Sequence, residues 1–278
     1  MKDFLDVLMG LHFWAVKKTE SKPKEKRSII SKVILNSIKC FVRYVVYACL
    51  LIKYKFKRIR IEPLFDNMEK VIVSLTTFPL RIDNLWMVLY FMYRQTILPG
   101  KIVVTLTKEE IPQGYDSLPQ SLKFFSDKGV EILFADDNLK PHNKYFYTRQ
   151  KYPDRTIVTI DDDGLYYRDT IERLINMQKK YPNTICANRA SKIVLIDGKL
   201  GKYSMFNMAF NQNPSHLLLA LGVGGVLYPA SFKYSELYNI DKIKKLSLST
   251  DDLWLKAIEI LSDTKVVTGD YCAHSLSI

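Results

Sequence analysis

Cysteine is scarce in this chain of 278 residues, and the spacing of its cysteines excludes common metal and redox motifs. No two of them are separated by two residues, as a C-x-x-C site would require. We therefore expect free thiols in a reducing cytosol. The chain also lacks an internal repeat, and its first apolar run, FLDVLMGLHFWAV, lacks the small-residue cleavage site of a secretory signal. The cysteines are Cys40, Cys49, Cys186 and Cys272.

A long uninterrupted hydrophobic run is missing as well. Lys32, Lys39 and Arg43 interrupt the apolar segment 28–54, and the run that follows covers only residues 44–52. A helix that crosses a bilayer needs about 20 apolar residues. The basic residues and Asn36 fall on one stripe, so the spacing predicts an amphipathic helix with a wide apolar face. That face carries Ile30, Val33, Ile34, Ile38, Phe41, Val45 and Cys49.

The excess of positive charge is confined to the N-terminal end. Residues 1–60 carry 15 of the 41 basic and 4 of the 29 acidic residues, so they hold +11 of the formal net charge of +12. The nearly neutral body offers no basic groove, and we therefore expect no nucleic-acid partner. The basic stretch KYKFKRIR after the amphipathic helix suits an anionic membrane surface, at about 1 kcal/mol per basic residue.

We expect residues 1–62 to attach the chain peripherally to the inner, cytoplasmic face of the cell membrane. The alternative is a helix that packs on the body or on a partner chain, with its charges merely solvated. From residue 63 to 278, strand-like and helix-like segments alternate, which predicts an α/β domain with a mostly parallel sheet flanked by helices. The predicted strands include 71–78, 101–107, 130–136 and 156–163, and the predicted helices include 81–96, 143–151 and 168–181.

Three consecutive aspartates, Asp161, Asp162 and Asp163, follow the predicted central strand. Adjacent carboxylates repel each other and resist burial, so they need open solvent or a cation. Ligands bind beyond the carboxyl ends of the strands in an open α/β sheet. Asp161 and Asp163 can therefore share a Mg²⁺ or Mn²⁺ that also takes phosphate oxygens. A solvated turn at Gly164, or a cap for the helix near Arg168, is the alternative.

Five stretches in order carry a family resemblance: VSLTTFPLRI, HNKYFY, VTIDDDGLYY, GVGGVLYP and TDDLWLKA. The chain resembles nucleotide-sugar-dependent glycosyltransferases of the GT-A fold over about residues 71–274. It is similar to bacterial family-2-like enzymes and, in the aspartate run and the late acidic helix, to exostosin-type transferases. The resemblance implies a Rossmann-like GT-A fold, a Mn²⁺ or Mg²⁺ cofactor, a nucleotide-diphosphate sugar donor and a glycan or glycolipid acceptor.

The resemblance also implies donor-binding residues. The loop after the first strand would hold the nucleotide through Thr76, Thr77, Phe78 and Arg81. Hydroxyls, an aromatic face and a guanidinium suit a base and its phosphate, although strand-exit chemistry explains each threonine equally well. Lys144 would reach the diphosphate or the sugar, whereas a single lysine at a surface is ordinarily only solvated.

By the same resemblance, Asp161 and Asp163 match the DxD motif that carries the metal and the diphosphate. Asp162 would lie by the ribose or the donor sugar, and His274 would be an additional metal ligand. A lone histidine is more often structural.

The resemblance places Arg189 at the same edge of the sheet and the loop with Gly224 and Gly225 beside the acceptor and the donor sugar. Glycines at that density permit φ > 0 or a close backbone approach. A tight turn into the next strand explains them without any ligand.

The segment STDDLWL predicts a helix with Ser249 or Thr250 as its N-cap and Asp251 and Asp252 in its first turn. Capping and the helix dipole explain one aspartate. The resemblance implies that the other is the general base for the acceptor hydroxyl, with Asp252 ahead of Asp251.

The expected function is metal-dependent sugar transfer to a glycan or lipid-linked acceptor in surface-polysaccharide biosynthesis. One alternative is a nucleotidyltransferase, which would be expected to carry a glycine-rich basic loop after the first strand. The stretch SLTTFPLRI has no glycine. The other alternative is a membrane-recruited binding protein without catalytic activity.

Overall fold

The computed structural model describes residues 3–20, 29–55, 59–67, 69, 71–269 and 276–277. The helices within these residues are α1 Phe4–Glu20, α2 Ile29–Lys55, α3 Pro79–Ile82, α4 Leu85–Met92, α5 Gln120–Ser126, α6 Asn143–Lys151, α7 Thr170–Lys180, α8 Ile240–Leu246 and α9 Asp251–Leu261. The strands are β1 Ile72–Thr76, β2 Lys101–Thr107, β3 Val130–Ala135, β4 Ile157–Thr159, β5 Gly164–Leu165, β6 Ile185–Ala187, β7 Ala190–Lys192, β8 Leu195–Ile196, β9 Lys199–Leu200, β10 Asn207–Ala209, β11 Leu218–Ala220, β12 Val226–Tyr228, β13 Val266–Thr268 and β14 Leu276–Ser277.

The main sheet has seven strands in the order β13-β6-β12-β4-β1-β2-β3. Only β12 runs antiparallel to its neighbours within this sheet, and the other pairings are parallel. The predicted α/β fold with a mostly parallel sheet is confirmed. Because β4 pairs with β1 in parallel register, the carboxyl ends of both strands meet at one edge of the sheet.

Two predicted elements differ most from those in the structure. The predicted helix 81–96 is divided into α3 and α4 by a turn at Asp83 and Asn84. The predicted strand 156–163 ends at Thr159, although the amide of Ile160 still donates to the carbonyl of Ser74 in β1. The aspartates therefore follow the strand as a turn.

All eight residues of α4, LWMVLYFM, are buried. A helix that is apolar all round must have neighbours all round. Its side chains share one hydrophobic cluster with sheet residues and with residues of α1 and α2. Trp86 stacks on Tyr54 of α2 with ring centroids 4.8 Å apart. The N-terminal helices therefore help to cover the core of the body.

Polar contacts hold α1 in place as well. The guanidinium of Arg94 donates to Asp3 at 2.8 Å and to Asp6 at 2.6 Å, and Arg168 donates to Asp6 at 2.9 Å. From α1 and α2, the buried apolar residues that join the main cluster are Leu5, Leu8, Met9, Val42, Val46 and Leu50.

The predicted apolar face of α2 is only partly covered. Ile38, Val45 and Cys49 pack against the core, whereas other members of that face are exposed. One stretch of the described residues, Val33–Lys55, is long and apolar enough to cross a membrane, and 17% of its most apolar window is buried. The exposed apolar residues of the two N-terminal helices are Phe4, Val7, Leu11, Trp14, Ile29, Ile30, Val33, Ile34, Phe41, Tyr44, Leu51, Ile52 and Tyr54.

A small antiparallel sheet of order β10-β7-β11 leads back to the main sheet. After β11, a 3₁₀ turn at Gly222–Gly224 connects to β12, the neighbour of β4. This connection brings Gly222 beside the aspartates that follow β4.

Candidate functional site

A cleft of about 470 Å³ opens at the sheet edge where β1 and β4 end. The three aspartates after β4 lie on one side, and the loop after β1 lies on another. Seven predicted site residues from these two segments therefore converge on one cleft with Lys144 of α6. The lining residues are Thr76, Thr77, Phe78, Arg81, Glu110, Asn138, Lys140, Pro141, Asn143, Lys144, Ile160, Asp161, Asp162 and Asp163.

Asp162 connects the aspartates to the loop after β1. Thr77 donates its hydroxyl to Oδ2 of Asp162 at 2.6 Å, and Arg81 donates to Oδ1 at 2.8 Å. Arg81 also pairs with Asp163 at 3.0 Å and lies 5.3 Å from the ring centre of Phe78. Both oxygens of Asp162 are thus engaged, so this side chain orients Arg81, and its contact with a ribose stays a prediction.

Burial and two neighbouring carboxylates disfavour the charged form of Asp163, whereas the neighbouring Arg81 favours it. Burial raises the pKa of its carboxyl, the adjacent charges of Asp161 and Asp162 add to that increase, and Arg81 opposes it. A nearby cation would stabilise the charged form of such a carboxyl.

Lys144 lies in the interior, between the two acidic groups. Its ammonium donates to Oδ1 of Asp161 at 2.8 Å and lies 2.9 Å from Oδ2 of Asp251 in α9. Burial alone would lower its pKa, but Asp161, Asp251 and Asp252 outweigh burial and hold the pKa well above its usual range. Lys144 is therefore an internal counter-ion. Its ammonium has three donors, of which two face carboxylates, and the predicted contact with the diphosphate stays a prediction.

The sheet fixes the backbone of Lys144. The hydroxyl of Ser74 in β1 donates to the carbonyl of Lys144 and also bonds to the hydroxyl of Thr148 at 2.6 Å. The buried hydroxyls of Ser74 and Thr148 thereby have hydrogen-bond partners. These bonds also hold α6 against β1.

Asp252 is the partly exposed member of the α9 pair. Its Oδ1 accepts the backbone N–H of Gly222 at 3.1 Å. Burial and the adjacent charge of Asp251 raise the pKa of Asp252 to about 7, against the opposing effect of Lys144. Thr250 is the N-cap, as predicted, but its side chain makes no capping bond. A carboxylate whose pKa lies near neutrality is suited to general base catalysis.

The glycine that lies against Lys144 and Asp252 is Gly222. A Cβ there would lie 3.0 Å from Nζ of Lys144 and 3.4 Å from Oδ1 of Asp252, so a larger residue would displace these side chains. Gly225 has φ +82 and makes a tight turn, and the carbonyl of Gly224 accepts a bond from the side-chain amide of Asn188. The predicted contacts of Gly224 and Gly225 with the acceptor and the donor sugar stay predictions.

Two further predicted residues are not brought into the cleft by the described part of the chain. Arg189 does not line it, and the backbone carbonyl of Arg189 accepts the amide of Leu221 at 2.9 Å. Its role toward a donor stays a prediction. His274 lies outside the described residues.

Sequence reasoning missed the far end of the cleft. Glu110 follows β2, and Asn138 and Lys140 follow β3. The signal was present, because polar residues follow two predicted strands at their carboxyl ends. It could be used only with the pairing of β1, β2 and β3, which places the three strand ends together.

Asp161 and Asp163 have the chemistry of a divalent-cation site. Each has one oxygen on a basic side chain and remains 29% or 38% exposed. Among the described residues, no three Asp, Glu, His or Cys side chains are grouped to enclose a metal. Two carboxylates nevertheless fit Mg²⁺ or Mn²⁺, which take few protein ligands and complete their shell with phosphates and water.

No protein-family model and no curated protein sequence matches the chain. Solved structures do match. Residues 1–349 of S. aureus TarS, a glycosyltransferase, match with a TM-score of 0.50 and 13% identity over 74% of this chain and 59% of that chain. The same fragment in complex with UDP matches with a TM-score of 0.47 and 11% identity over the same shares.

Two nucleotidyltransferases match over more of their own length. The 2-C-methyl-D-erythritol 4-phosphate cytidylyltransferase of Francisella tularensis has a TM-score of 0.45 and 13% identity, over 75% of this chain and 91% of that chain. The CMP:2-keto-3-deoxy-manno-octonic acid synthetase complexed with CTP has a TM-score of 0.45 and 9% identity, over 75% and 92%.

The fold is GT-A-like, as the resemblance implied. At 13% identity this likeness shows the fold alone. Because one fold can serve different reactions, the reaction must be argued from the site.

Proposed function

We propose that this protein is a metal-dependent glycosyltransferase that moves a sugar from a nucleotide-diphosphate donor to a hydroxyl of a cell-surface glycan or lipid-linked acceptor. One observation carries the proposal. Lys144 contacts Asp161 at the donor cleft and Asp251 at the start of α9, so a partly exposed carboxylate with a raised pKa, Asp252, lies next to that cleft.

The cleft supplies the chemistry for a nucleotide diphosphate. Arg81 offers a guanidinium to phosphate oxygens, and Phe78 offers an aromatic face. Asp161 and Asp163 would hold Mn²⁺ or Mg²⁺. When bound, the ion supplies positive charge that stabilises the leaving diphosphate. Arg81 can add a second positive charge at the same place once the donor displaces it from Asp163.

Asp252 is proposed as the base. It would accept the proton of the acceptor hydroxyl while the oxygen bonds to the anomeric carbon and the diphosphate leaves. The backbone N–H of Gly222 holds one of its oxygens at 3.1 Å, which orients the carboxylate. Asp251 lies deeper, against Lys144, and is proposed to position its neighbour.

The experiment is a panel of nucleotide-diphosphate sugars, each assayed for hydrolysis and for transfer with and without Mn²⁺. We expect one donor to be consumed, only in the presence of a divalent ion. Asp163→Ala should abolish consumption without loss of the folded state. Full activity of that variant would contradict the cation site. Pyrophosphate release from a nucleoside triphosphate and a sugar phosphate would instead identify a nucleotidyltransferase, and no nucleotide binding at all would favour a binding protein.

We also propose that α1 and α2 attach the enzyme to an anionic membrane surface from the cytoplasmic side. Apolar side chains such as Phe41, 65% exposed, lie on these helices, and residues 1–60 carry +11 of the formal net charge of +12. An apolar face bordered by basic residues suits a membrane interface. Since Val42, Val46 and Leu50 of α2 are buried against the protein, lipid could not surround that helix, and we favour peripheral attachment over a span.

A further inference from the structure

The far end of the cleft carries polar groups that the proposed reaction does not use. Glu110 lies just beyond β2, and Asn138 and Lys140 lie just beyond β3. These strands follow β1 in the sheet, so the three residues lie on the side of the cleft away from β4 and its aspartates. A donor whose diphosphate lies at the aspartates would extend its base toward this end.

Asn138 presents an unused hydrogen-bond donor. Its Oδ1 accepts the backbone N–H of Lys140 at 3.1 Å and the amide of Asn143 at 3.4 Å, which fixes the orientation of the side-chain amide. Its Nδ2 is buried and has no hydrogen-bond partner among the described residues. A buried donor left unpaired costs free energy, which a ligand acceptor would recover.

Glu110 presents an acceptor beside a second donor. Its Oε2 accepts the hydroxyl of Thr107 at 3.1 Å, and its Oε1 lies 3.6 Å from Nζ of Lys140. The Glu110 side chain is 23% exposed, so it remains accessible from the cleft. This end of the cleft therefore offers one carboxylate acceptor and two nitrogen donors.

The edges of the bases differ in what they require. Uracil presents acceptor, donor, acceptor through O2, N3–H and O4, and thymine shares this edge. Cytosine presents two acceptors and an amine, and guanine presents one acceptor and two donors. Guanine can place both of its donors on one carboxylate, but its single acceptor then leaves one of the two nitrogen donors unpaired. The uracil edge matches the carboxylate and both nitrogen donors one to one.

We propose that Glu110, Asn138 and Lys140 recognise a uracil edge, with Glu110 accepting N3–H and the two nitrogens donating to O2 and O4. The inference rests on the proposed nucleotide-diphosphate-sugar donor and names its base. A UDP-sugar is then the substrate class, with a thymidine diphosphate sugar as the variant that the same edge admits.

The test measures dissociation constants of the full chain for UDP, dTDP, CDP, GDP and ADP by calorimetry with Mn²⁺. We expect UDP or dTDP to bind most tightly, and the comparison of these two separates uracil from thymine. Glu110→Gln keeps an oxygen for Thr107 and turns an acceptor into a donor. It should lower the ratio of UDP to CDP affinity by roughly tenfold or more. The matched control is Glu109→Gln, at an exposed neighbour that does not line the cleft, which should change nothing.

Asn138→Asp provides an independent variant. It keeps the acceptor for Lys140 and Asn143, replaces the unused donor by an acceptor and adds a negative charge, so UDP affinity should fall by a larger factor than ADP affinity. Tightest binding of a purine or of CDP by the unaltered protein, or an equal loss for all bases in Glu110→Gln, overturns the base assignment and leaves the sugar-transfer proposal standing. If no nucleotide diphosphate binds the unaltered protein, both proposals fail. Should one variant not fold, the other decides.

Discussion

Nζ of Lys144 lies 2.9 Å from Oδ2 of Asp251, and this ion pair joins the first turn of α6 to the first turn of α9. Apart from this ion pair, that oxygen of Asp251 has no hydrogen-bond partner among the described residues. Charge attraction in a buried place therefore holds the two helices together, and the directed bond of Lys144 goes to Asp161.

Loss of that charge should destabilise the fold. Lys144→Met keeps the length of the side chain but leaves buried carboxylates without their counter-ion. We expect the free energy of unfolding to fall by about 3–5 kcal/mol, as for other broken buried pairs. Urea denaturation measures it. Lys233→Met is the matched control, since Lys233 pairs with Asp154 at an exposed surface and should contribute about 1 kcal/mol or less. Equal effects of the two substitutions would refute the role of Lys144.

The rate of transfer should depend on the ionisation of Asp252. A general base works only when deprotonated, and the pKa of Asp252 is about 7, so turnover should rise from pH 6 to pH 8 and level off above. Asp252→Asn should lower turnover by about 10²–10⁴-fold and remove this limb of the profile, with little change in donor affinity.

Asp241→Asn, at an exposed acidic residue of α8, is the control and should retain both turnover and the pH profile. The base assignment is wrong if Asp252→Asn keeps the same pH-dependent limb as the unaltered protein.

Gly222 should not accept a methyl group. In Gly222→Ala the new carbon would lie 3.0 Å from the Lys144 amine and 3.3 Å from a carboxylate oxygen of Asp161, so one of them must move. We expect stability to fall by about 1–3 kcal/mol and activity to fall with it. Gly10→Ala makes the opposite comparison. That position in α1 has open space around it, and alanine there should stabilise the helix by roughly 0.5–1 kcal/mol without affecting activity. Unchanged activity in Gly222→Ala would mean that the carboxylates tolerate displacement.

Membrane attachment should depend on exposed apolar residues of α2. We expect Ile34→Ser combined with Phe41→Ser to reduce co-sedimentation with anionic phospholipid vesicles by roughly tenfold or more, because each buried side chain contributes about 1.5–3 kcal/mol. Leu200→Ser, at an exposed leucine of β9 outside the N-terminal helices, should bind like the unaltered protein. Added salt should weaken the binding of the unaltered protein and of both variants to the vesicles. No binding of the unaltered protein to anionic vesicles would exclude the proposal, and resistance to alkaline extraction from membranes would indicate a span.

The positions of the strands along the chain and of the aspartates after β4 could be predicted because they depend on local pattern. Short β-branched runs bounded by polar residues mark β1, β2, β3 and β4, and the carboxylates that end the last run mark the edge of the sheet. The close approach of Gly222 to the site could not be predicted. It depends on the packing of distant parts of the chain, which leaves a Cβ at Gly222 only 3.0 Å from Nζ of Lys144.

The same limit applies to Lys144 and Asn138. From the sequence alone, a lysine in a helical segment is expected to be solvated. Lys144 is a buried counter-ion because α9 packs next to it and contributes Asp251 and Asp252. The polar end of the cleft depends on the pairing of β2 with β3, which the sequence does not encode locally. Patterns of period two or 3.6 report which face a residue occupies, but not which element faces it.

The burial of α4 depends on its contact with the N-terminal helix α2. Because Trp86 is covered by Tyr54 of α2, removal of residues 1–62 would expose an all-apolar helix and favour aggregation. α1 and α2 share one hydrophobic cluster with α4 and with residues of the main sheet. On the proposed membrane surface, this packing would hold the mouth of the cleft at one height and one angle, so the proposed acceptor would reach it from a defined direction.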